Sequence, residues 1–467
     1  MAHRFVSRLP PPALLLAALR DAPRRYRMPP LPADLRTAAA ADPETALAFA
    51  IEAARTGGAP GAQDLFTTSL AALVAEALAP GAGDAAFQAL VLRAQDADVD
   101  EHVRLSAQHV ADRRSVRTAL DTVAHPGKLR LLPQGRLRDE LAALHALAAG
   151  GGWTDLHARG AALLGQDDLS VPLRAVLDDL IGGAALRRLA RAETLRTRAA
   201  VRQYQALCER RGPAAGSEAA AAQGRAAART GDAAEQDTLR TLRAVARCLQ
   251  ERDAAGGTFR AAAGLRTPRG FPGEAGKAKD EWDVAILREG SPGAGADIVL
   301  LAEVKAAPAA ATSDLARLLR GLQRLAQADA AGSYAFPAAD GELRIAGGTL
   351  RELQPHGLAL PPHVIYCSAA PPEGQVQMLS AASKAVLLSE PASLAFAHAL
   401  TRGETPGPAL LLPVWEALPQ APQLRSALHQ YDTARAAREA MLHPQDLLLA
   451  VEAAAAALLQ ESSTACG

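Results

Sequence analysis

Trp282-Asp283-Val284-Ala285-Ile286-Leu287, a loop over 288–296, then Ile298-Val299-Leu300-Leu301-Ala302-Glu303-Val304-Lys305: the reading of this stretch decides the fold of the C-terminal half. Both runs are short, aliphatic and rich in branched side chains, which predicts two buried strands. Alternate residues of a strand share a face, so Glu303 and Lys305 point the same way, with Leu301 and Val299. A hairpin centred near Gly293 places Ala285 opposite Leu301 and Asp283 opposite Glu303. Directly opposed side chains in an antiparallel pair lie about 5 Å apart. Two carboxylates at that separation repel unless a cation lies between them. Packing alone does not select such a charged triad on apolar strands. A divalent metal resolves the repulsion: Mg²⁺ takes oxygen ligands, is content with one or two carboxylates, and keeps several waters. The backbone carbonyl of Val304 offers another oxygen. Water activated by such an ion can attack a phosphodiester, with Lys305 either helping to deprotonate it or stabilising the charge that develops. The plain structural alternative is a salt bridge between Lys305 and a carboxylate, with no metal.

Working outward, strands are expected at 258–265, 281–287, 297–306, 363–368 and 385–389, with helices at 233–252, 314–329, 373–382 and 391–400. Leu315, Leu318, Leu319, Leu322 and Leu325 recur at helical spacing and form the core stripe of the second helix, which Thr312 or Ser313 would cap. On the first helix Glu235 is in phase with Leu239, Leu242 and Ala246, an unusual place for a solvated acid. A capping box, Asp232 as N-cap and Glu235 at N3, explains the same residues without chemistry. Lys277 and Lys279 precede the Asp283 strand and read either as a solvated turn or as phosphate contacts.

Asp283 followed by Glu303-Val304-Lys305 resembles the PD-(D/E)xK nuclease superfamily, and the order helix–strand–strand–strand–helix–strand over about 230–400 matches that family's αβββαβ core. Trp282 stands where the family name has proline. The resemblance implies a restriction-endonuclease-like α/β fold and Mg²⁺- or Mn²⁺-dependent hydrolysis of phosphodiester bonds, with DNA as the substrate. It implies Asp283 and Glu303 as metal ligands with the Val304 carbonyl, Lys305 as the catalytic lysine and Glu235 as a supporting acid. It also points to Gln323, Arg320 or Arg324 on the helix after the Glu-x-Lys strand as nucleic-acid contacts, beside Lys277 and Lys279. Two other readings stand against a nuclease. One is a helical interaction or scaffold protein that keeps the fold without the chemistry; the other is a metal-dependent phosphoryl enzyme on an unrelated fold.

The remaining sequence bounds these expectations. The 467 residues suffice for two or three domains. Lys plus Arg is 50 and Asp plus Glu is 50, so any electrostatic case for nucleic acid must be local. The organisation expected is a basic, Pro-rich arm over 1–30, an irregular all-α domain over 31–211, a Gly/Ala/Pro linker over 212–231, the α/β domain over 232–404 and a helical extension over 405–467. Residues 184–211 read as one Arg-rich helix, either a solvated face or a phosphate-binding one. Cys208, Cys248, Cys367 and Cys466 have neither the spacing of a zinc site nor that of a disulfide framework and read as free thiols. The apolar run 13–19 is too short to span a membrane, and a cytoplasmic location is expected.

Overall fold

Val284, Ala285, Ile286 and Leu287 are all buried, on both faces of their strand. A strand with no polar alternation needs cover on both sides, and the surrounding elements supply it. The computed structural model describes residues 12–213, 216–252, 257–290 and 295–464. It contains an α/β unit (1–69, 216–384 and 415–467) and a helical unit (70–215 and 385–414).

The α/β unit is built on a five-stranded mixed sheet in the order β1-β2-β3-β6-β7. Its strands are β1 (Phe259–Arg266), β2 (Glu281–Arg288), β3 (Asp297–Val304), β6 (Val364–Cys367) and β7 (Met441–Leu442). β1, β2 and β3 form an antiparallel meander, while β6 and β7 add in parallel. Between β3 and β6 the chain makes the helix Ala310–Leu325 and a separate hairpin of β4 (Ser333–Ala338) and β5 (Gly341–Ala346). In chain order the unit runs from the helix Glu218–Arg252 through β1, β2 and β3, the helix Ala310–Leu325, the β4–β5 hairpin and the helix Gly347–Arg351 to β6, and later to β7.

Each face has its own core. On one, the leucine stripe of Ala310–Leu325 packs with Trp282, Ala285, Leu301, Val364 and Tyr366. On the other, Leu242, Val245 and Leu249 of the long helix Glu218–Arg252 pack with Val284, Ile286, Leu300 and Ile365, together with the helices Ala13–Asp21 and Pro444–Thr464. Each fully buried leucine contributes about 1.5–3 kcal/mol of transfer free energy.

The meander pairs in the anticipated register: Ala285 faces Leu301, and Val284 faces Ala302. A register shift between Ile286 and Leu287 then bulges the pair, and Val299 joins the opposite face from Leu301 rather than sharing it. The proposed hairpin centre, Gly293, lies outside the described residues.

Several sequence expectations are corrected. Residues 218–231 are not linker but the first turns of the Glu218–Arg252 helix, so Asp232 and Glu235 lie in a helix interior and form no capping box. Residues 13–30 are not a loose arm: Leu15 and Tyr26 are fully buried against the α/β unit. The expected strand at 385–389 lies within the helix Ala381–Ser389, where the Ser380 hydroxyl accepts from the Ser383 amide and opens the helix; the expected helix at 373–382 is irregular up to 380. Residues beyond 414 are no extension, because they provide β7 and the helices Gln430–Glu439 and Pro444–Thr464. Neither Thr312 nor Ser313 caps Ala310–Leu325, which begins before them.

In the helical unit, residues 184–211 form two helices, Ala184–Leu195 and Ala199–Arg210, rather than one. Their arginines meet the acids of the helix Ala97–Ala124: Arg188 pairs with Asp112 at 2.6 Å, and Arg191 with Glu101 at 2.6 Å and Asp98 at 3.4 Å. Arg188 and Arg191 are thus engaged within the unit. Cys208, Cys248 and Cys367 are free thiols, and Cys466 lies outside the described residues. Among the described residues, no helix is long and apolar enough to cross a membrane.

Candidate functional site

The site forms where β2 begins and β3 ends. Asp283 extends the observed β2–β3 register by one residue toward Glu303, but instead of continuing the backbone ladder its Oδ2 accepts from the Val304 amide at 2.7 Å. That bond fixes the carboxylate at the end of the strand pair. Glu303 is 3% exposed and lies on the same face as Leu301, toward the helix Ala310–Leu325.

Two ammonium groups converge on Glu303. Lys279 Nζ and Lys305 Nζ each donate to Glu303 Oε1 at 2.7 Å. Lys279 also lies 3.5 Å from Asp283 Oδ1, so its ammonium bridges the two carboxylates. The sequence placed Lys279 on a solvated turn or at a phosphate; the structure buries it at 5% exposure in the middle of the cluster. Its segment is locked to the helix Ala310–Leu325. The Lys279 amide donates to the Arg317 carbonyl at 3.3 Å, and the Arg320 guanidinium donates to the Lys277 carbonyl at 3.2 Å. Gly321 permits this approach: a Cβ there would lie 2.9 Å from Lys279 Cβ and from the Trp282 ring.

Lys305 leads to the outer half of the cluster. Its ammonium is 3.2 Å from Asp314 Oδ2, and the Tyr366 hydroxyl donates to the same oxygen at 3.3 Å. Tyr366 is directly beside Glu303 in the parallel β3–β6 ladder. Asp314 and Tyr366 were not among the sequence candidates. Asp314 lies in the first turns of its helix, ahead of the leucine stripe. Tyr366 could have been found only from the β3–β6 register, which no hairpin turn fixes.

The electrostatics follow from the burial. Desolvation, then repulsion from Asp283, push the Glu303 carboxyl up to about 7 against the two lysines. Desolvation opposes the charge on Lys305, but Glu303 and Asp314 outweigh it and raise its pKa, so Lys305 stays cationic. Burial, then Asp314 and Glu303, raise the Tyr366 phenol, which stays neutral. Burial also pushes the Cys367 thiol up to about 12, which makes it an inert packing group.

Glu235 belongs to the helix on the other face of the sheet and is exposed. Partial desolvation, then the charge of Asp283, raise its pKa, so it lies within electrostatic range of the cluster. Among the described residues it makes no hydrogen bond with Asp283, Glu303 or Lys305. Lys277, Arg320 and Gln323 are exposed and do not enter the cluster. The Arg324 guanidinium lies over the Phe271 ring, 5.9 Å from its centroid.

Glu303 Oε2 is buried and has no hydrogen-bond partner, a costly state for a carboxylate oxygen. Asp283 and Glu303 are the hard oxygen donors that Mg²⁺ or Mn²⁺ accepts, and two carboxylates with water suffice for such an ion. Among the described residues, no three His, Cys, Asp or Glu side chains gather as a ligand cluster, so the side-chain donors here are this pair. No family model, curated protein or solved structure matches the chain.

Proposed function

We propose that the α/β unit is a restriction-endonuclease-like domain of the PD-(D/E)xK type that hydrolyses phosphodiester bonds, with DNA as the substrate. The observation that carries this reading is the Asp283–Glu303 pair at the end of β2 and β3, with Lys305 beside it and Glu303 Oε2 unpartnered. Asp283 and Glu303 would hold Mg²⁺ or Mn²⁺, with the Val304 carbonyl as a further oxygen. When bound, that ion supplies positive charge against the phosphate and favours ionisation of water.

The other roles belong to the chain itself. In hydrolysis a water oxygen bonds to phosphorus as its proton passes to solvent, the phosphorus–ester bond breaks with the leaving oxygen taking a proton from solvent, and charge builds on the phosphoryl oxygens. Lys305, held cationic by Glu303 and Asp314, is suited to stabilise that charge and unsuited to accept a proton. Asp314 is a positioning residue that orients the Lys305 ammonium, and Tyr366 in turn orients Asp314. The exposed Lys277, Arg320 and Gln323 provide polar contacts for a nucleic-acid backbone.

A second reading is favoured by Lys279. An ammonium already bridging the carboxylates suits a nuclease fold that has lost its chemistry and serves as an interaction protein. Incubation of the purified protein with linear and supercoiled DNA in Mg²⁺ or Mn²⁺ separates the two. The nuclease reading expects cleavage that falls about 10²–10³-fold in Lys305→Ala, the usual cost of deleting one preorganised charge-stabilising donor. Equal rates in wild type and Lys305→Ala refute the catalytic assignment. No cleavage by the wild type under any of these conditions favours the interaction protein.

A further inference from the structure

Lys279 does more than neutralise. Its ammonium lies 2.7 Å from Glu303 and 3.5 Å from Asp283, the position between two carboxylates that a divalent cation would also take. The lysine is not part of the Glu-x-Lys strand. It comes from the β1–β2 connection, where Gly270, Gly273 and Gly276 adopt positive φ and turn the chain back toward the sheet. Its backbone is pinned to Arg317, and Gly321 leaves no spare room on that side. The main chain is thus fixed, while the four-carbon stem still has rotatable bonds on which the ammonium can leave.

We propose that Lys279 is a built-in counter-cation which a divalent metal must displace from between Asp283 and Glu303, so that Lys279 sets the metal affinity of the site. This rests on the reading of Asp283 and Glu303 as metal ligands. Without metal, the ammonium relieves carboxylate repulsion and keeps the unit folded. With metal, two cations cannot occupy one gap, and the ammonium turns outward to water or to a bound phosphate. Lys279 and Lys305 therefore have different duties: Lys305 is also held by Asp314 and keeps that anchor after exchange, whereas Lys279 has no such outer carboxylate among its ion pairs.

Amine labelling of the wild-type protein tests the exchange without any variant. The full chain is treated briefly with an N-hydroxysuccinimide acetate reagent, with EDTA or with Mn²⁺, and Lys279 modification is read by peptide mass spectrometry. Protection in EDTA and at least about a fivefold rise in Lys279 labelling with Mn²⁺, with Lys277 unchanged, is the expected result. Calorimetric Mn²⁺ titration of wild type and Lys279→Met reads the affinity, and circular dichroism verifies that the variant is folded. The variant is expected to bind about tenfold tighter or more. Wild-type binding with unchanged Lys279 labelling overturns the exchange and leaves the metal reading standing, as does a folded Lys279→Met that binds no tighter. Absence of Mn²⁺ binding in both proteins overturns the metal reading and the exchange with it.

Discussion

Burial and the neighbouring Asp283 carboxylate raise Glu303 from its ordinary 4.5 to about 7. Between those values the folded chain retains a proton that the unfolded chain has released. Stability contributed by this group is therefore present at low pH and is lost as pH rises through 7, by an amount on the order of 3 kcal/mol. Glu303→Gln removes the titration. Urea unfolding at pH 5 and pH 8 should show the wild type losing more stability over that interval than Glu303→Gln. Parallel losses would contradict the assignment. The outer cluster is milder: Tyr366→Phe deletes one hydrogen bond to Asp314 and should cost about 0.5–1.5 kcal/mol in the same experiment. At this scale the sequence was informative where strand parity governs: Glu303 and Lys305 meet at 2.7 Å, whereas the paired ladder stops at Val284 and Ala302 and the Asp283 carboxylate takes the Val304 amide instead. It misplaced Lys279, read as a solvated turn or a phosphate contact, because that place is set by a glycine-rich connection and a helix contact rather than by any period.

The β2–β3 meander was legible as two short, continuous aliphatic runs either side of a turn, and the Ala310–Leu325 helix from the spacing of its leucines. The limits came where a short apolar run fits either element. Residues 385–389 suit a strand by composition but follow a serine cap and become helix. The β4–β5 hairpin and the N-terminal turns of Glu218–Arg252 were missed because Pro337 and Gly341 in the one and Gly224 and Gly231 in the other read as breakers. Gly321 shows how closely the elements are fitted. Ala normally favours a helix interior over Gly by up to about 1 kcal/mol. At Gly321 the added Cβ would meet Lys279 and the Trp282 ring at 2.9 Å, an overpacking worth about 1–3 kcal/mol. Gly321→Ala is therefore expected to lower the melting temperature and to displace Lys279; a raised melting temperature would contradict the packing account.

Across the whole molecule, the α/β unit is assembled from three separated stretches of chain. A linear division at 231 and 404 missed this, because neither Ala13–Asp21 nor β7 has a sequence signal of its own partner. Met441, Leu442, Leu447 and Val451 are fully buried in the two cores, and the Tyr366 amide donates to the Ala440 carbonyl at 3.0 Å. A chain ending at Val414 should then lose cooperative thermal unfolding and near-ultraviolet circular dichroism; a sharp melt like that of the full chain would show that the last 53 residues, 415–467, are dispensable. Asp283 and Glu303 are proposed to form a divalent-metal site together. The most direct measurement is an anomalous difference map from crystals of the full chain soaked in Mn²⁺. A peak is expected about 2–2.6 Å from oxygens of both carboxylates, with the Lys279 ammonium moved out of the gap. A peak confined to other residues, or Lys279 still bridging the pair at saturating Mn²⁺, would contradict it.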